Sequence, residues 1–531
     1  MELFNKIRAK SKKLNDKLVL LVFFIYLCIQ NLHMSPKYYP INQLQNDIAS
    51  LGSVISYLDM NTLTRAEWMN MVENLKTFLC DLRSDLHVVI EGIYVDSVYR
   101  DSYYDYYSTK HSTYNRFCLR MSFFDRGFKN EIDFAEEKNI KDNYLGFLVI
   151  RPLIRCIGRN VISTKAKVSP KDEIRICKVK VDASCLGVKL KAEGFPHASQ
   201  DNETMTCAQT TIWSLLEYYG NKYTYYHPTL PTEIESILEP FSYERQLPSK
   251  GLTYNQISVA LRNLGFGPKI YQTGSSAHEV RHFHQLMACY IESGVPLAVA
   301  LTNDKVGHAV VCIGIEKVDK HEVINHPVIV GSKTVYSWND TVADAKFVFN
   351  DDNLPCYQVA TLANPAKNYI DKGLVKWKNV KVSQFIAPLY HKVYMEADTA
   401  IALSEQIIGS VIPGGNGLVM RTLLTSSRTF REHITKISSL SNDHRLALLG
   451  IPMPKFVWVT ELSTPDEFYN DKVSTLLLLD ATGSKMANLS RNIILLLSDG
   501  FLYSYDNSSM AIVGKPTKLP KSFEAFPGNI Y

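Results

Sequence analysis

The chain has 531 residues, of which 46% are hydrophobic, so it can bury several cores and is long enough for about three or four domains. Its formal net charge of +5 is small for this length, and no stretch has the dense lysine and arginine clustering of a nucleic-acid footprint. The 10 cysteines include no C-x-x-C pair, which argues against zinc ribbons and thioredoxin-like redox sites. Cysteine usage at this level is typical of a reducing compartment, which favours a cytoplasmic protein.

The N-terminal region, residues 1–86, is predicted to be helical and carries one apolar segment. A basic run over residues 6–13 precedes an uncharged stretch over residues 18–29. This stretch is shorter than a bilayer span and suits a buried helix or a signal peptide, but no small-residue cleavage site follows it. Weak membrane contact through residues 18–29 is therefore the alternative to a purely cytoplasmic location. Further along, Thr64-x-x-Glu67 is a capping box that predicts the start of a helix.

Residues 87–192 are predicted to form a mainly β unit of unknown role. Short runs of β-branched, aromatic and other apolar residues indicate strands. These runs are Val88–Val95, Phe117–Phe124, Tyr144–Ile150, Asn160–Thr164 and Ile174–Val181. The tyrosine-rich stretch between residues 94 and 114 is predicted to be an irregular packed loop, with a ligand-lining surface as the alternative.

A cysteine at the start of a helical pattern is the first candidate for chemistry. A polar loop leads to Cys207, and apolar residues then recur at helical spacing up to Gly220, which is placed to end the helix. Unpaired N–H groups and the positive end of the helix dipole favour a thiolate at such a position, and the thiolate is the nucleophilic form. The alternative is that Cys207 is a small buried core residue.

A histidine at the start of an apolar strand is the second candidate. An apolar strand over residues 295–301 is followed by a polar turn, and His308 then opens the run from residue 308 to residue 315. A histidine at the edge of a strand can face a cleft while the strand behind it fixes the imidazole. The alternative for His308 is a purely structural role.

A carboxylate at the end of the next strand is the third candidate. The segment over residues 346–350 reads as a strand and runs into Asp351-Asp352-Asn353. An acid or amide beside the histidine strand can orient the imidazole and stabilise its charged form. Asp351 is the preferred candidate, and Asn350 and Asp352 are its competitors.

Together these elements resemble the papain-like cysteine peptidase superfamily, in particular its C39-like peptidase branch. Members of that branch typically have a glutamine-containing loop, a cysteine at a helix start, a Gly-His strand and a strand that ends in Asn-Asp. The stretch from Gly251-Leu252-Thr253 to residue 266 is also similar to the segment that packs beside the cysteine helix in such domains. The resemblance covers about residues 194–359.

The resemblance implies a role for each matching residue. Cys207 would be the nucleophile, His308 the general base and acid, and Asp351 the orienting partner. An oxyanion donor is implied upstream of the cysteine, and Gln200 is the candidate. Gln200 lies one position further from the cysteine than is usual, so Asn202 is its competitor. The long gap between His308 and Asp351 implies an inserted segment over residues 319–344. No cofactor and no metal are implied.

The C-terminal region, residues 391–531, is predicted to be an α/β unit. Helices are expected at about residues 393–408 and 421–439, with strands at residues 456–462, 475–480 and 492–497. The aspartates that follow two of these strands are better explained by hairpin turns than by metal-binding loops. His282 and His284 lie in a predicted helix, where residues two apart point in different directions and make a poor metal pair.

The sequence therefore predicts an α+β protein in four parts: residues 1–86, 87–192, 193–390 and 391–531. The third part is expected to be a papain-like thiol hydrolase that cleaves a peptide, isopeptide or amide bond in a peptide or protein substrate, without nucleic acid. Acyl transfer to an amine on the same residues is one alternative. The others are a catalytically inactive binding module and an effector switched on by a regulatory partner.

Overall fold

The computed structural model describes residues 35–58, 60, 63–168, 173–242, 244–325, 327–330, 333–412, 417–483, 489–506 and 508–531. The chain is a mixed α+β protein, as the sequence predicts. It divides into two compact units. Unit 1 is Met1–Val168 with Val181–Glu193, and unit 2 is Ser169–Lys180 with Gly194–Tyr531. The apolar stretch at residues 18–29 lies outside the described residues, and within those residues no helix combines the length and apolar character that a membrane crossing requires.

The described chain contains helices in both units, numbered here in chain order. They are α1 Ile41–Asn46, α2 Ile48–Ser56, α3 Arg65–Cys80, α4 Ser97–Asp105, α5 Glu131–Glu136, α6 Cys207–Lys222, α7 Pro231–Leu238, α8 Tyr254–Asn263, α9 Ala277–Glu292, α10 Trp338–Val342, α11 Lys367–Ile370, α12 Ala397–Val411, α13 Ser427–Lys436, α14 Asn442–Leu449 and α15 Pro465–Tyr469.

The strands are numbered in the same way. They are β1 Lys37–Pro40, β2 His87–Tyr94, β3 Cys118–Phe124, β4 Tyr144–Ile150, β5 Ile157–Ile162, β6 Ile174–Ile176, β7 Val179–Cys185, β8 Val188–Gly194, β9 Phe266–Gln272, β10 Leu297–Thr302, β11 Gly307–Glu316, β12 Pro327–Val330, β13 Lys333–Ser337, β14 Lys346–Asn350, β15 Gln358–Thr361, β16 Lys381–Tyr390, β17 Leu418–Ser426, β18 Phe456–Ser463, β19 Lys472–Val473, β20 Thr475–Asp480, β21 Ile493–Ser498, β22 Phe501–Asp506, β23 Ala511–Pro516 and β24 Phe523–Glu524.

Unit 1 is built on an antiparallel sheet of five strands in the order β1-β2-β3-β4-β5. Strands β3 and β4 are buried along their whole length, because the sheet is covered on both faces. Helix α3 begins at the capping box that the sequence predicts, with Thr64 and Glu67 bonded reciprocally, and buries Met71 and Leu75. A main-chain oxygen of this helix accepts a hydrogen bond from the Gln45 amide at 2.8 Å, which ties α1 to α3.

The first sheet of unit 2 carries the candidate site. Its order is β15-β14-β11-β10-β16-β9, with β6 also paired to β11, and every pair is antiparallel. Asn350 of β14 lies opposite Val311 of β11. Because the two strands are antiparallel, the residues after Asn350 continue toward the start of β11, where His308 lies. Helix α6, which begins at Cys207, packs against β11.

The second sheet of unit 2 has the order β12-β13-β17-β18-β20-β21-β22-β23. Its pairs are antiparallel except for β13 with β17. Helix α9 contacts both sheets: its Tyr290 ring lies 6.3 Å from Phe385 of the first sheet and 6.2 Å from Trp458 of the second. The inserted segment predicted at residues 319–344 supplies β12 and β13, so its strands extend the second sheet.

The tyrosine-rich stretch in unit 1 differs from its prediction as an irregular loop. Residues 97–105 form helix α4 because the Asp96 carboxylate, at the helix start, accepts a hydrogen bond from the backbone N–H of Tyr99 at 2.9 Å. Tyr99 also packs against Tyr107, with ring centroids 6.1 Å apart.

The predicted helix over residues 421–439 is wrong in its first third. Residues 421–426 belong to β17, and the helix begins at Ser427. Thr422 is fully buried and pairs with Thr460 of β18, so the neighbouring strands fix an extended conformation there. The three predicted C-terminal strands are confirmed as β18, β20 and β21, and β20 and β21 pair as an antiparallel hairpin.

The structure divides into two units, whereas the sequence predicts four parts. The predicted boundary between residues 86 and 87 falls inside unit 1, where Asn74 of α3 donates to the Ile154 carbonyl at 3.5 Å. The boundary between residues 390 and 391 falls inside unit 2, where Cys289 of α9 donates to the Thr422 carbonyl at 3.3 Å. Contacts between residues distant in sequence therefore join the first predicted part to the second, and the third to the fourth.

Candidate active site

Cys207 is the first residue of helix α6, as the sequence predicts. Its thiol is partly exposed, whereas Cys118, Cys177 and Cys312 are buried. The helix start is held by Gln209, whose side-chain oxygen accepts the backbone N–H of Thr206 at 3.3 Å and whose amide donates to Ser249 at 2.6 Å. A thiol in this position lies at the positive end of the helix dipole, beside the unpaired N–H groups of the first turn.

The loop before the cysteine is held rigid by Asp201, which sequence reasoning did not single out. Its carboxylate oxygen accepts three successive backbone N–H groups, from Glu203, Thr204 and Met205, at 2.8–2.9 Å. The signal was available in the sequence, because an aspartate a few residues before a helix commonly forms such an Asx turn. These hydrogen bonds fix the conformation of the loop that leads to Cys207.

His308 lies between the cysteine and the acid. It is buried at the start of β11, and its Nε2 lies 2.9 Å from Asp351 Oδ1. The Cys207 side chain is a further hydrogen-bonding partner, and Asn353 Nδ2 and the Tyr369 hydroxyl lie 3.4 Å and 3.5 Å from Nε2. Burial alone would lower the pKa of His308, but the Asp351 carboxylate and these hydrogen bonds outweigh it and raise the pKa well above its ordinary value. The geometry therefore favours a charged imidazolium.

Asp351 is the carboxylate nearest to the imidazole. Burial would raise its pKa, but the His308 charge and the hydrogen bonds it accepts hold the pKa below its ordinary value. Asp352 Oδ1 lies further from His308 Nε2, at 3.6 Å. The Asn350 side chain points elsewhere, accepting from the backbone N–H of Tyr357 at 3.0 Å and donating to the carbonyl of Pro196 at 3.5 Å.

Tyr369 fixes the Asp351 carboxylate from the other side. Its hydroxyl contacts both carboxylate oxygens, at 2.8 Å and 2.7 Å. Burial and the neighbouring Asp351 charge raise the pKa of Tyr369, so it stays a neutral O–H donor. Its ring stacks on Trp377 at a centroid distance of 3.5 Å, and the Trp377 and His308 rings are perpendicular, with centroids 5.5 Å apart. The Tyr369 and Trp377 side chains thus help to bury the ion pair of His308 and Asp351.

Neither aromatic residue was predicted. Tyr369 lies in the four-residue helix α11 and Trp377 ends a three-residue 3-10 helix, and elements this short leave no periodic signal in the sequence. A further contact that was missed is that of His197, a buried residue whose Nε2 lies 3.0 Å from the backbone oxygen of Asp351. It holds the main chain at the acid, while Tyr369 holds the side chain.

Gln200 is connected to the imidazole through Asn353. Its amide donates to Asn353 Oδ1 at 2.7 Å, and Asn353 Nδ2 lies 3.4 Å from His308 Nε2. Asn202, its predicted competitor as oxyanion donor, is exposed in a left-handed backbone conformation with φ 68°. Of the two, Gln200 is the one connected to the histidine.

The same residues also offer ligands for a metal ion. His308, Asp351 and Asp352 each have a ligand atom, and these atoms lie within 4.8 Å of one another. One imidazole and two carboxylates are a donor set that divalent transition metals accept. A bound ion would compete with the contact between His308 and Asp351, so the thiol chemistry and the metal chemistry use these side chains in different ways.

Neither a protein-family model nor a curated protein matches this chain. The geometry is therefore the only support for a function. It brings His308 together with Cys207 and Asp351, which are distant from it in the sequence, and it connects Gln200 to His308 through Asn353.

Proposed function

We propose that the chain is a thiol-dependent hydrolase that cleaves a peptide, isopeptide or amide bond. The observation that carries the proposal is that His308 contacts both a partly exposed thiol at a helix start and a buried carboxylate. A nucleophile, a base and a third group that orients the base are the arrangement needed for covalent acyl transfer.

The reaction follows from the protonation states. Asp351 occupies Nε2 of His308, which leaves the other ring nitrogen to take the thiol proton. The Cys207 thiolate attacks the carbonyl carbon, and the imidazolium gives its proton to the leaving amine as the C–N bond breaks. Water then attacks the thioester while His308 accepts a proton, which releases the acid and restores the thiolate with its imidazolium.

The oxyanion of the tetrahedral intermediate needs donors close to the thiol. The backbone N–H of Cys207 has no intrahelical acceptor because it belongs to the first turn of α6. Gln200 is the side-chain candidate, since one of its amide hydrogens is used by Asn353 and the second remains for the intermediate. Losing one such donor typically slows a reaction by ~10²–10³-fold.

Trapping of the acyl-enzyme tests the proposal. The wild-type protein and Cys207→Ala are incubated with a pool of peptides and branched isopeptides, quenched in acid and measured by intact mass. We expect an adduct that maps to Cys207 and is released by hydroxylamine, together with new peptide termini. Cleavage that continues in Cys207→Ala would refute a thiol mechanism.

The same experiment separates hydrolysis from acyl transfer. Adding an excess of a small primary amine diverts the acyl group only if the site admits an amine in place of water. We expect free acid to remain the main product. A predominantly amide product would assign the site to a transferase, and the absence of any adduct or cleavage would favour the inactive binding module.

A further inference from the structure

A second cluster of charged side chains lies in unit 2, far from Cys207. It surrounds a cavity of about 90 Å³ whose lining comes from both sheets and from the end of α9. We call it the inter-sheet cavity. Its charged lining residues are Arg175, Glu292, Lys320, Arg421, Glu461 and Asp471. Arg175 pairs with Ile315, seven positions along β11 from His308, which is about 23 Å at the rise of a strand.

Four of these groups already have partners within the protein. Glu292 is completely buried and accepts hydrogen bonds from Trp338 Nε1 at 2.9 Å, from Asn339 Nδ2 at 3.3 Å and from Arg421 Nη2 at 3.4 Å. Lys320 donates to the Phe468 carbonyl at 3.0 Å and contacts Asp471. These bonds hold Glu292, Lys320 and Asp471 in place, and Glu461 accepts the backbone N–H of Phe526 at 2.7 Å.

Both arginines have donors that the protein does not use. The Nε groups of Arg175 and Arg421 are buried and have no hydrogen-bond partner among the described residues. The nearest carboxylate oxygen to Arg175 belongs to Glu292 and lies 3.9 Å away, which is an ion pair without a hydrogen bond. Buried guanidinium donors are normally satisfied, and both arginines line one cavity, so an acceptor bound there would give their guanidinium groups a partner.

The backbone at the cavity is adapted to the approach of Arg421. Its Nη1 donates to the Phe526 carbonyl at 2.7 Å. Gly528 has φ +91°, and a Cβ there would lie 2.8 Å from Arg421 Nη2. A side chain at position 528 would therefore push the guanidinium out of place.

The charge balance at the cavity depends on Glu461. Burial raises the pKa of Glu461 to about 7, although Arg421 opposes the shift and Glu292 and Asp471 add to it. With Glu461 protonated, the three cations exceed the two remaining carboxylates by one charge. An anion restores neutrality and accepts the unused hydrogen bonds.

We propose that the inter-sheet cavity binds a small inorganic oxyanion, held by the guanidinium groups of Arg175 and Arg421. Planar guanidinium forks match the oxygens of sulfate and phosphate. The cavity is several times larger than the roughly 10–15 Å³ that one water molecule requires. The binding is independent of the thiol chemistry, so Cys207→Ala binds the anion as the wild type does.

Sulfate is the best probe, because its charge does not change between pH 6 and pH 8. Thermal unfolding and calorimetric titration are measured with sodium sulfate against sodium chloride at equal ionic strength, for the wild type, Arg175→Gln and the exposed-arginine control Arg428→Gln. We expect saturable binding by the wild type and by Arg428→Gln, and at least tenfold weaker binding by Arg175→Gln. Equal sulfate responses in all three proteins would overturn the proposal.

A second variant keeps the test sharp if Arg175→Gln folds poorly. Glu461→Gln preserves the shape of the side chain and mimics its protonated form. Sulfate affinity of the wild type is expected to fall about tenfold from pH 6 to pH 8, following the fraction of protonated Glu461. Glu461→Gln is expected to bind equally at both values. A pH dependence that survives in Glu461→Gln, or a wild type without saturable binding, would also contradict the proposal.

Discussion

Two cysteines on neighbouring elements of unit 2 show how the surroundings decide what a thiol can do. Cys312 lies on β11 four residues after His308, is completely buried, and has a pKa raised well above its ordinary value by burial. Cys207 is distant from His308 in the sequence, yet its partly exposed side chain is the one that contacts the imidazole. Contact across elements therefore matters more than nearness in sequence.

Cys177 and Cys289, two further cysteines of unit 2, follow the pattern of Cys312. Burial raises the pKa of Cys177 to about 11 and also raises that of Cys289. Such thiols stay protonated and act as small apolar residues. Cys207 differs from them in being partly exposed and in contacting a histidine, and substitutions can test whether this difference matters for activity.

Replacing each cysteine is expected to give the largest contrast. Cys207→Ala should lower kcat/KM by a factor on the order of 10⁴ or more, because it removes the nucleophile, and should leave the fold intact. Cys312→Ala should keep kcat/KM and lose about 1 kcal/mol of stability through lost packing. Steady-state kinetics and urea unfolding measure both quantities. The comparison fails if Cys312→Ala is the variant that loses turnover.

The two adjacent aspartates give the next contrast. Asp351→Asn should slow turnover by roughly 10²–10⁴-fold, because the imidazole loses the charge that stabilises and orients it. Without that charge burial dominates, so the pKa of His308 falls and the alkaline limb of the pH–rate profile moves to lower pH. Asp352→Asn, as the matched control, should cost less than tenfold. Equal losses in both variants would mean that the two carboxylates act as a unit.

Tyr369 is expected to act as a positioning residue. Tyr369→Phe removes both contacts to the Asp351 carboxylate but keeps the stacking on Trp377, so kcat should fall about tenfold with little change in KM. The Asp351 charge becomes less well held, so the alkaline limb should shift to lower pH as well. The control is Tyr394→Phe, at an exposed position. A fall in kcat without a shift in the pH profile would indicate a merely structural role.

The ion pair of His308 and Asp351 should also contribute to the free energy of unfolding. His308 has a folded-state pKa above its ordinary value of about 6.5, so its contribution is full below that pH and is lost as pH rises through the folded pKa. Asp351 has a lowered pKa, so its contribution is present above about 3.9 and lost as pH falls. Urea unfolding should therefore show a larger difference between wild type and Asp351→Asn at pH 5.5 than at pH 10. A constant difference would argue against the pair.

Metal removal is expected to have the smallest effect. If His308 and Asp351 serve the thiol, then dialysis against a chelator should leave kcat/KM unchanged, and added Zn²⁺ should inhibit by occupying the ligands. Metal analysis of the purified protein and activity before and after chelation provide the check. Loss of activity on chelation that Zn²⁺ restores would assign the site to metal-dependent chemistry.

The sequence was sufficient for the elements that carry the chemistry. Helical spacing after Cys207 and the apolar run after His308 are local signals, and the structure has both a helix and a strand at those positions. The mixed α+β class is also confirmed, because the hydrophobic periodicity of long segments distinguishes helices from strands. The strand after residue 345 also placed Asp351 correctly at a strand end.

The missed features depend on contacts between distant segments. The double contact of Tyr369 with Asp351 has no local signature, and neither has the cluster that joins Glu292 to Arg421 across the two sheets. Residues 421–426 of β17 were predicted to be helical because their apolar residues fit both periods, and only pairing with β18 decides between helix and strand. Side-chain networks of this kind follow from topology, which the sequence alone left open.

The reactivity of the thiols tests most directly whether Cys207 is an activated nucleophile. Wild type, Cys207→Ala, His308→Ala and Cys80→Ala are labelled with a small alkylating reagent at mildly acidic pH and followed by intact mass. We predict fast labelling at one site that disappears in Cys207→Ala, slows in His308→Ala and is unchanged in Cys80→Ala, which removes an exposed thiol outside the site. If Cys207 reacts no faster than Cys80, the thiol is not activated and the proposed hydrolase is contradicted.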